Sequence, residues 1–313
     1  MKRPYLYRSR RFTQHTEWLN DDFGFFYTIK KRLRFGATKY QTIELVDTNE
    51  FGRVLILDGI TQAAQWGECY YHEPMVHPAL CTHPDPRRVL VIGAGDGGII
   101  REVLKYPCVG SVDLAELDKG VIDFSRKYLP SIHQGAFDDP RVHIHIADGR
   151  KFVEKSPKRF DVVIMDMTDP FGPAKYLYTK NFFRSVKRSL RDGRGVFVMH
   201  TESPVARPRT FASIQRTLRS VFGHVCPLYA YIHMYATLWS ITVSSDRSNM
   251  ASVTSPAVDK KLKRYGITGL RYYTGKIHEA AQVSWPHLDA LFKKPARVLS
   301  DRHPDIPDDI VHK

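Results

Sequence analysis

Residues 89–98 read Val89-Leu90-Val91-Ile92-Gly93-Ala94-Gly95-Asp96-Gly97-Gly98, an unbroken apolar run followed at once by a glycine-rich turn that carries one carboxylate. An apolar run without polar alternation is the pattern of a strand buried on both faces, as in a parallel sheet covered by helices. The turn matches G-x-G-x-x-G, in which glycines let the backbone approach a ligand at the N-terminus of the following helix.

Outward from this turn the chain alternates strand and helix patterns. A helix over 97–105 is followed by VDLAEL (112–117), a helix over 119–128, VHIHIA (142–147) and a short helix over 149–154. Then come DVVIMD (161–166), a helix over 179–190, GVFVMHT (195–201) and a helix over 209–221. Such alternation predicts an α/β fold with a doubly wound, mostly parallel sheet. Residues 225–245 read as two closing strands, and the tail from Asp246 as short helices around RYYTGKIHEAA (271–281). Upstream, FFYTIK (25–30), YQTIELVDT (40–48), RVLILDG (53–59) and ITQAAQ (60–65) are short and alternating, which predicts one small antiparallel sheet. A helix is expected over 68–81, and Pro84-Asp85-Pro86 breaks the chain after it. The expected organisation is an N-terminal arm and small β domain over 1–83 and a catalytic domain over 84–313.

Composition sets the class. Of 313 residues 42% are apolar and 26% charged, which is globular and excludes long disorder. No apolar run approaches the ~18 residues of a membrane span, and MKRPYLYRSRR lacks the apolar core of a secretory signal, so a cytoplasmic protein is expected. Cys69, Cys81, Cys108 and Cys226 show no C-x-x-C spacing, which points to a reduced compartment and away from zinc. With 47 Lys and Arg against 33 Asp and Glu the net charge is +14, which raises the question of a polyanionic partner. The excess is spread out and has no RNP-like or zinc-finger pattern beside it, so a solvated basic surface is expected rather than nucleic-acid binding. The acid-free stretch before Glu17, whose composition also suits a transit peptide, is read as an arm.

The carboxylates carry the chemistry. Glu116 ends the strand after the glycine turn, where ribose hydroxyls are held by both dinucleotide and adenosyl-sulfonium enzymes. Asp96 separates those two, because a carboxylate inside the turn would face the anionic pyrophosphate of a dinucleotide at close range but would attract a cation. Asp148-Gly149, after the third strand, can accept the adenine amino group. Helix capping and turn formation are the structural alternatives for Asp96 and Asp148. Asp166 and Asp169 fall at the carboxyl end of the fourth strand, where open α/β sheets bind ligands, in a loop stiffened by Pro170 and Pro173. A turn with two capping aspartates is the alternative there.

At this point the chain resembles a known family. VLVIGAGDGGIIREVLKY, AELD, FDDPRVHIHIADGRKFV, DMTDPFGPAKYLYTKNFF and HTESP look like the polyamine aminopropyltransferases, the spermidine synthases and their relatives. The likeness extends upstream through KYQTIELVDTNEFGRVLILDGITQ and YYHE and downstream to RYYTGKIHEAA, over roughly residues 18–290. The resemblance implies a Rossmann-like, methyltransferase-type sheet preceded by a small β domain. It implies a homodimer or homotetramer, and transfer of aminopropyl from decarboxylated S-adenosylmethionine, as co-substrate, to an amine, with no metal and no further cofactor. By position, Gln41, Gly93, Gly95, Asp96, Glu116, Asp148 and Gly149 would hold the donor, with Asp96 and Asp166 on its ammonium. Asp166, Tyr71 and Tyr235 would surround the attacking nitrogen. Trp18, Asp169 and Glu202 would bind the far end of the acceptor, with Gln62 and His72 nearby.

Elementary chemistry agrees with those roles. A cationic donor and a polycationic acceptor suit a site lined by Asp96, Asp166, Asp169 and Glu202. The attacking nitrogen must nevertheless be neutral, whereas an aliphatic amine with a pKa of ~10.4 is protonated at pH 7. A proton acceptor is required, and Asp166 is the expected base. Two segments depart from the family pattern: Gly67-Glu68-Cys69 replaces an acidic D-E-F, and Tyr235-Ala236-Thr237-Leu238-Trp239 is one residue shorter than usual. Leu177-Tyr178-Thr179-Lys180 and the Tyr235–Trp239 segment lean towards thermospermine synthases, whereas Glu202 leans towards a short diamine such as putrescine, with agmatine or cadaverine as close analogues. Two other readings stay open: an amine N-methyltransferase using intact S-adenosylmethionine, and a non-catalytic, basic nucleic-acid-binding relative.

Overall fold

A computed structural model describes residues 13–170 and 172–307; the expected N-terminal arm lies largely outside the described residues. Strands β1 (Thr13–Trp18) and β2 (Gly24–Ile29) pair antiparallel, and β3 (Lys31–Ala37), β4 (Thr42–Thr48), β5 (Gly52–Leu57) and β6 (Ile60–Ala64) form a second antiparallel sheet in that order. The single sheet predicted from the alternating segments is therefore two. β3 escaped the pattern because Lys31, Arg32 and Arg34 interrupt its apolar positions; it is an edge strand, where charge protects against unwanted pairing.

Then follow α1 (Cys69–Thr82), β7 (Arg88–Gly93), α2 (Gly98–Leu104), β8 (Ser111–Glu116), α3 (Lys119–Tyr128), α4 (Pro130–His133), β9 (Val142–Ile146), α5 (Gly149–Glu154) and β10 (Val162–Asp166). The chain continues through α6 (Lys180–Ser189), β11 (Val196–His200), α7 (Pro208–Arg219), β12 (His224–Ile232), β13 (Thr237–Ser245), α8 (Ser255–Arg264), α9 (Gly275–Ala280) and α10 (Pro286–Lys293). The seven-stranded sheet has the order β12-β13-β11-β10-β7-β8-β9; β11 to β9 run parallel, and the last two strands in sequence close one edge antiparallel. This is the expected α/β sheet.

The unbroken apolar runs feed two cores at once, because successive strand residues face opposite sides. Val89, Val91, Val162, Ile164, Val196 and Val198 pack with Met75, Val76 and Ala79 of α1 and Ile99 and Val103 of α2. Leu90, Ile92, Val163, Met165, Phe197 and Met199 pack instead with Phe182, Phe183 and Val186 of α6 and Ile214 and Leu218 of α7. Helix α1 is buried on nearly every side despite Pro74 and Pro78, since it lies on the large sheet across β10–β13 and is flanked by α2 and α8.

The sheet order reverses between β7 and β10, and this opens the crevice in which such sheets bind ligands. Gly93 lies opposite Asp166 in register, and the Asp166 carbonyl accepts the Ala94 N–H at 3.0 Å. Gly93 has φ +79°, and any side chain there would run into that carbonyl, so the two strand ends can close up only around a glycine.

Candidate active site

A cavity of about 1030 Å³ lies over this crevice, roofed by the small sheets. Its nucleoside-sized half is lined by Gln41, Gly93, Gly95, Asp96, Glu116, Asp148 and Gly149, with Ile92, Leu117 and Val121 as apolar walls. Glu116 accepts the Asp118 N–H at 2.8 Å, and burial pushes its pKa up to about 7. Asp118 in turn holds the Gln41 amide at 2.9 Å, which ties the loop before β4 to the end of β8. Asp148 caps α5 through the Arg150 N–H at 2.9 Å and also lines the cavity.

Asp96 is fixed from two directions. Its Oδ1 accepts the Gly98 N–H at 2.7 Å, and its Oδ2 lies 3.3 Å from Nε2 of His72. Burial alone would raise its pKa, but the His72 ring and the Gly98 amide hold it below the ordinary carboxylate value. His72, expected beside the acceptor, is buried behind Asp96 and does not line the cavity; its Nδ1 meets Glu68 at 2.6 Å, and Glu68 is itself paired with Arg101 at 2.7 Å. His72 thus orients a site carboxylate from outside the cavity.

At the centre, the Tyr71 hydroxyl donates to Oδ1 of Asp166 at 2.5 Å. Burial, followed by the charge of Asp96, raises the Asp166 pKa. Burial holds the Tyr71 and Tyr235 hydroxyls well above the ordinary tyrosine value, so both remain protonated donors. The two rings meet edge-on at 5.8 Å, and the Tyr235 hydroxyl donates to the Gln62 carbonyl at 3.1 Å, which joins the turn between β12 and β13 to β6. Gln62 also lines the cavity.

The far end differs from expectation. Asp169 lines it, on a loop pinned where His200 Nε2 donates to the Met167 carbonyl at 2.7 Å and the Tyr178 hydroxyl donates to that of Thr168 at 3.1 Å. Glu202, expected to face the acceptor, is sealed off; burial and then the charge of Asp169 push its pKa up to about 8. Between the two lies Arg207, whose Nη1 reaches Asp169 at 2.6 Å and Glu202 at 2.9 Å. Burial would raise the Asp169 pKa, but the Arg207 guanidinium holds it down. Trp18 is half exposed and off the cavity, whereas its neighbours Glu17 and Leu19 line it. Strand alternation in TQHTEW puts Glu17 on the opposite face from Trp18, a signal that could have found Glu17. No local signal marked Arg207. Among the described residues no helix is long and apolar enough to cross a membrane.

Known proteins resemble this chain over most of its length. The spermine/spermidine synthase domain matches residues 68–255, and the spermidine synthase tetramerisation domain matches residues 12–65. The polyamine aminopropyltransferase of Nitrosomonas europaea is 41% identical over 285 residues, covering 91% of this chain and 87% of that protein. That of Bacillus subtilis is 38% identical over 271 residues, covering 86% and 95% respectively. Among solved structures, spermidine synthase in complex with the transition-state analogue AdoDATO aligns with a TM-score of 0.85 at 32% identity, over 91% of this chain and 96% of that one. Spermidine synthase from Thermotoga maritima aligns at 0.83 and 32% identity, over 91% and 95%. Fold and likeness together define an alkyl-group transferase. The chain belongs to the spermine/spermidine synthase family, the family that its motifs resemble.

Proposed function

We propose that the protein moves the aminopropyl group of decarboxylated S-adenosylmethionine onto a terminal amine of a short diamine such as putrescine. The observation that carries this reading is the pair Asp96 and Asp166, set at adjoining strand ends between the nucleoside-sized half of the cavity and the Tyr71–Tyr235 pair. Asp96 suits the donor ammonium, while Glu116 and Asp148 suit ribose hydroxyls and the adenine amine. The acceptor nitrogen gives up a proton to Asp166 and its lone pair attacks the carbon bonded to sulfur. The C–S bond breaks, and its electron pair leaves with the neutral thioether nucleoside. Cation binding next to Asp166 lowers its pKa from the raised value and readies it as the base. Of the other cavity carboxylates, Asp58 is bonded to Thr42 and Asp118 to Thr38 and Gln41, which leaves Asp169 and Glu17 for the distal ammonium; the cation of Arg207 backs Asp169, which favours a short acceptor. The sheet formed by residues 31–64 and the tetramerisation-domain match support a homo-oligomer, and the composition supports a cytoplasmic location.

The test is incubation with decarboxylated or intact S-adenosylmethionine and each of putrescine, cadaverine, agmatine and spermidine, with products identified by mass. Spermidine formed from putrescine, equimolar with thioether nucleoside, is the expected result. Methyl transfer from the intact donor would overturn the donor assignment, and a ~10-fold or larger kcat/KM advantage for spermidine would overturn the acceptor.

A further inference from the structure

Arg207 sits immediately before α7, in a turn where its N–H bonds to the Ser203 carbonyl at 2.9 Å and the Ser203 hydroxyl takes the Ala206 N–H at 3.0 Å. The side chain is 5% exposed, Glu202 is fully buried, and Asp169 is 15% exposed at the cavity wall. The guanidinium also donates through Nε to the Leu19 carbonyl at 2.6 Å, next to the cavity-lining residues of β1. A cation is therefore built in directly behind the carboxylate that faces the far end of the acceptor.

We infer that Arg207 is the acceptor-length determinant of this site: its guanidinium neutralises Asp169 from behind and repels any further ammonium that an acceptor longer than a diamine would bring. The role deepens, and rests on, the aminopropyl-transfer reading. Asp169 can share its negative charge between Arg207 and one distal ammonium of the acceptor. A triamine attacking through its aminobutyl end would place a second ammonium beyond Asp169, with Arg207 as its neighbour. Glu202 offers no compensation, because its carboxyl is held protonated near neutral pH and lies outside the cavity. Arg207 touches Asp169 rather than the reacting atoms, so it acts as a positioning and selecting residue. Repulsion of this kind against the wrong substrate is as effective for specificity as attraction to the right one.

The experiment compares kcat/KM for putrescine, spermidine and N-butylputrescine, which has the chain length of spermidine with a methyl group in place of its terminal ammonium. In the wild-type protein N-butylputrescine should exceed spermidine by ~10-fold or more, since the chain length is the same and the terminal charge is gone. Arg207→Met paired with Glu202→Gln, which removes the cation and the buried acid behind it and leaves Asp169 at the cavity wall, should close that gap, whereas Arg207→Lys should keep it. Equal use of the two long amines by the wild type would mean that length is limited sterically and would overturn the proposal. A gap that persists in a double variant with cooperative thermal unfolding would overturn it as well. The wild-type comparison stands if the variants do not fold. Transfer to putrescine with no charge discrimination overturns the role of Arg207 alone; absence of transfer to all three amines overturns the underlying reading as well.

Discussion

The Tyr71 hydroxyl and the Asp166 carboxylate are joined at 2.5 Å across the point where the large sheet changes direction. Burial and the neighbouring Asp96 raise the Asp166 pKa in the ligand-free site, and a bound cation would favour the ionised carboxylate that the proposed base requires. Asp166→Asn keeps the shape and removes the base. Turnover should fall by ~10²–10⁴-fold with circular dichroism unchanged. Near-normal turnover would move the proton transfer to water or to the tyrosines.

Glu116 gives the donor side a pH dependence. Its raised pKa of about 7 in the free protein means that the carboxylate needed to accept ribose hydroxyls is only partly formed near neutrality. Donor binding favours the ionised form, so calorimetric affinity should strengthen as pH rises from 6 to 8 and then level off. Glu116→Gln should bind more weakly and flatten the profile.

The Glu68–His72–Asp96 chain predicts that two different substitutions share one phenotype. His72→Ala removes the ring beside Asp96, and Gly98→Ala places a methyl group where that ring lies. Each disturbs a charge-assisted contact, so the KM for the donor should rise ~10- to 100-fold, with a smaller change in kcat. Donor KM unchanged in both variants would reduce His72 to a packing residue.

Glu202 should make the ligand-free protein less stable in alkali. It holds its proton up to about pH 8 when folded but releases it near 4.5 when exposed, so the folded state binds more protons across that window. This contribution is complete below the lower value and is lost as pH rises through the upper one, at up to ~1.4 kcal/mol per pH unit between them. Thermal melts from pH 6 to 9 should show a decline that Glu202→Gln reduces. An identical decline in the variant would place the titration elsewhere.

The half of the site that was readable in advance belongs to strand ends. Gly93, Glu116, Asp148 and Asp166 sit at or just beyond the ends of strands β7, β8, β9 and β10, so the pattern that locates the strands also locates these groups on one edge. The far end follows no such rule. Whether Glu202 faces the cavity depends on its left-handed backbone, φ +70°, and on Arg207 lying beneath it. Trp18 and Glu17 are neighbours in sequence, and which of them enters the site depends on the face of β1 that turns inward. The charged edge strand β3 was missed for a similar reason: its side chains answer to solvent and to neighbouring chains more than to a core.

The bond from Tyr235 to the Gln62 carbonyl, with Glu17 and Leu19 close by, also bears on the order of assembly. The donor side is built largely from consecutive strand–turn–helix units between residues 88 and 166, whose loops are short and close early. The acceptor side joins the first described strand to the last strand pair of the sheet, a closure that spans most of the chain and cannot form until synthesis is nearly complete. A nascent molecule would therefore gain a nucleoside-shaped cleft well before it gained any means of telling one amine from another.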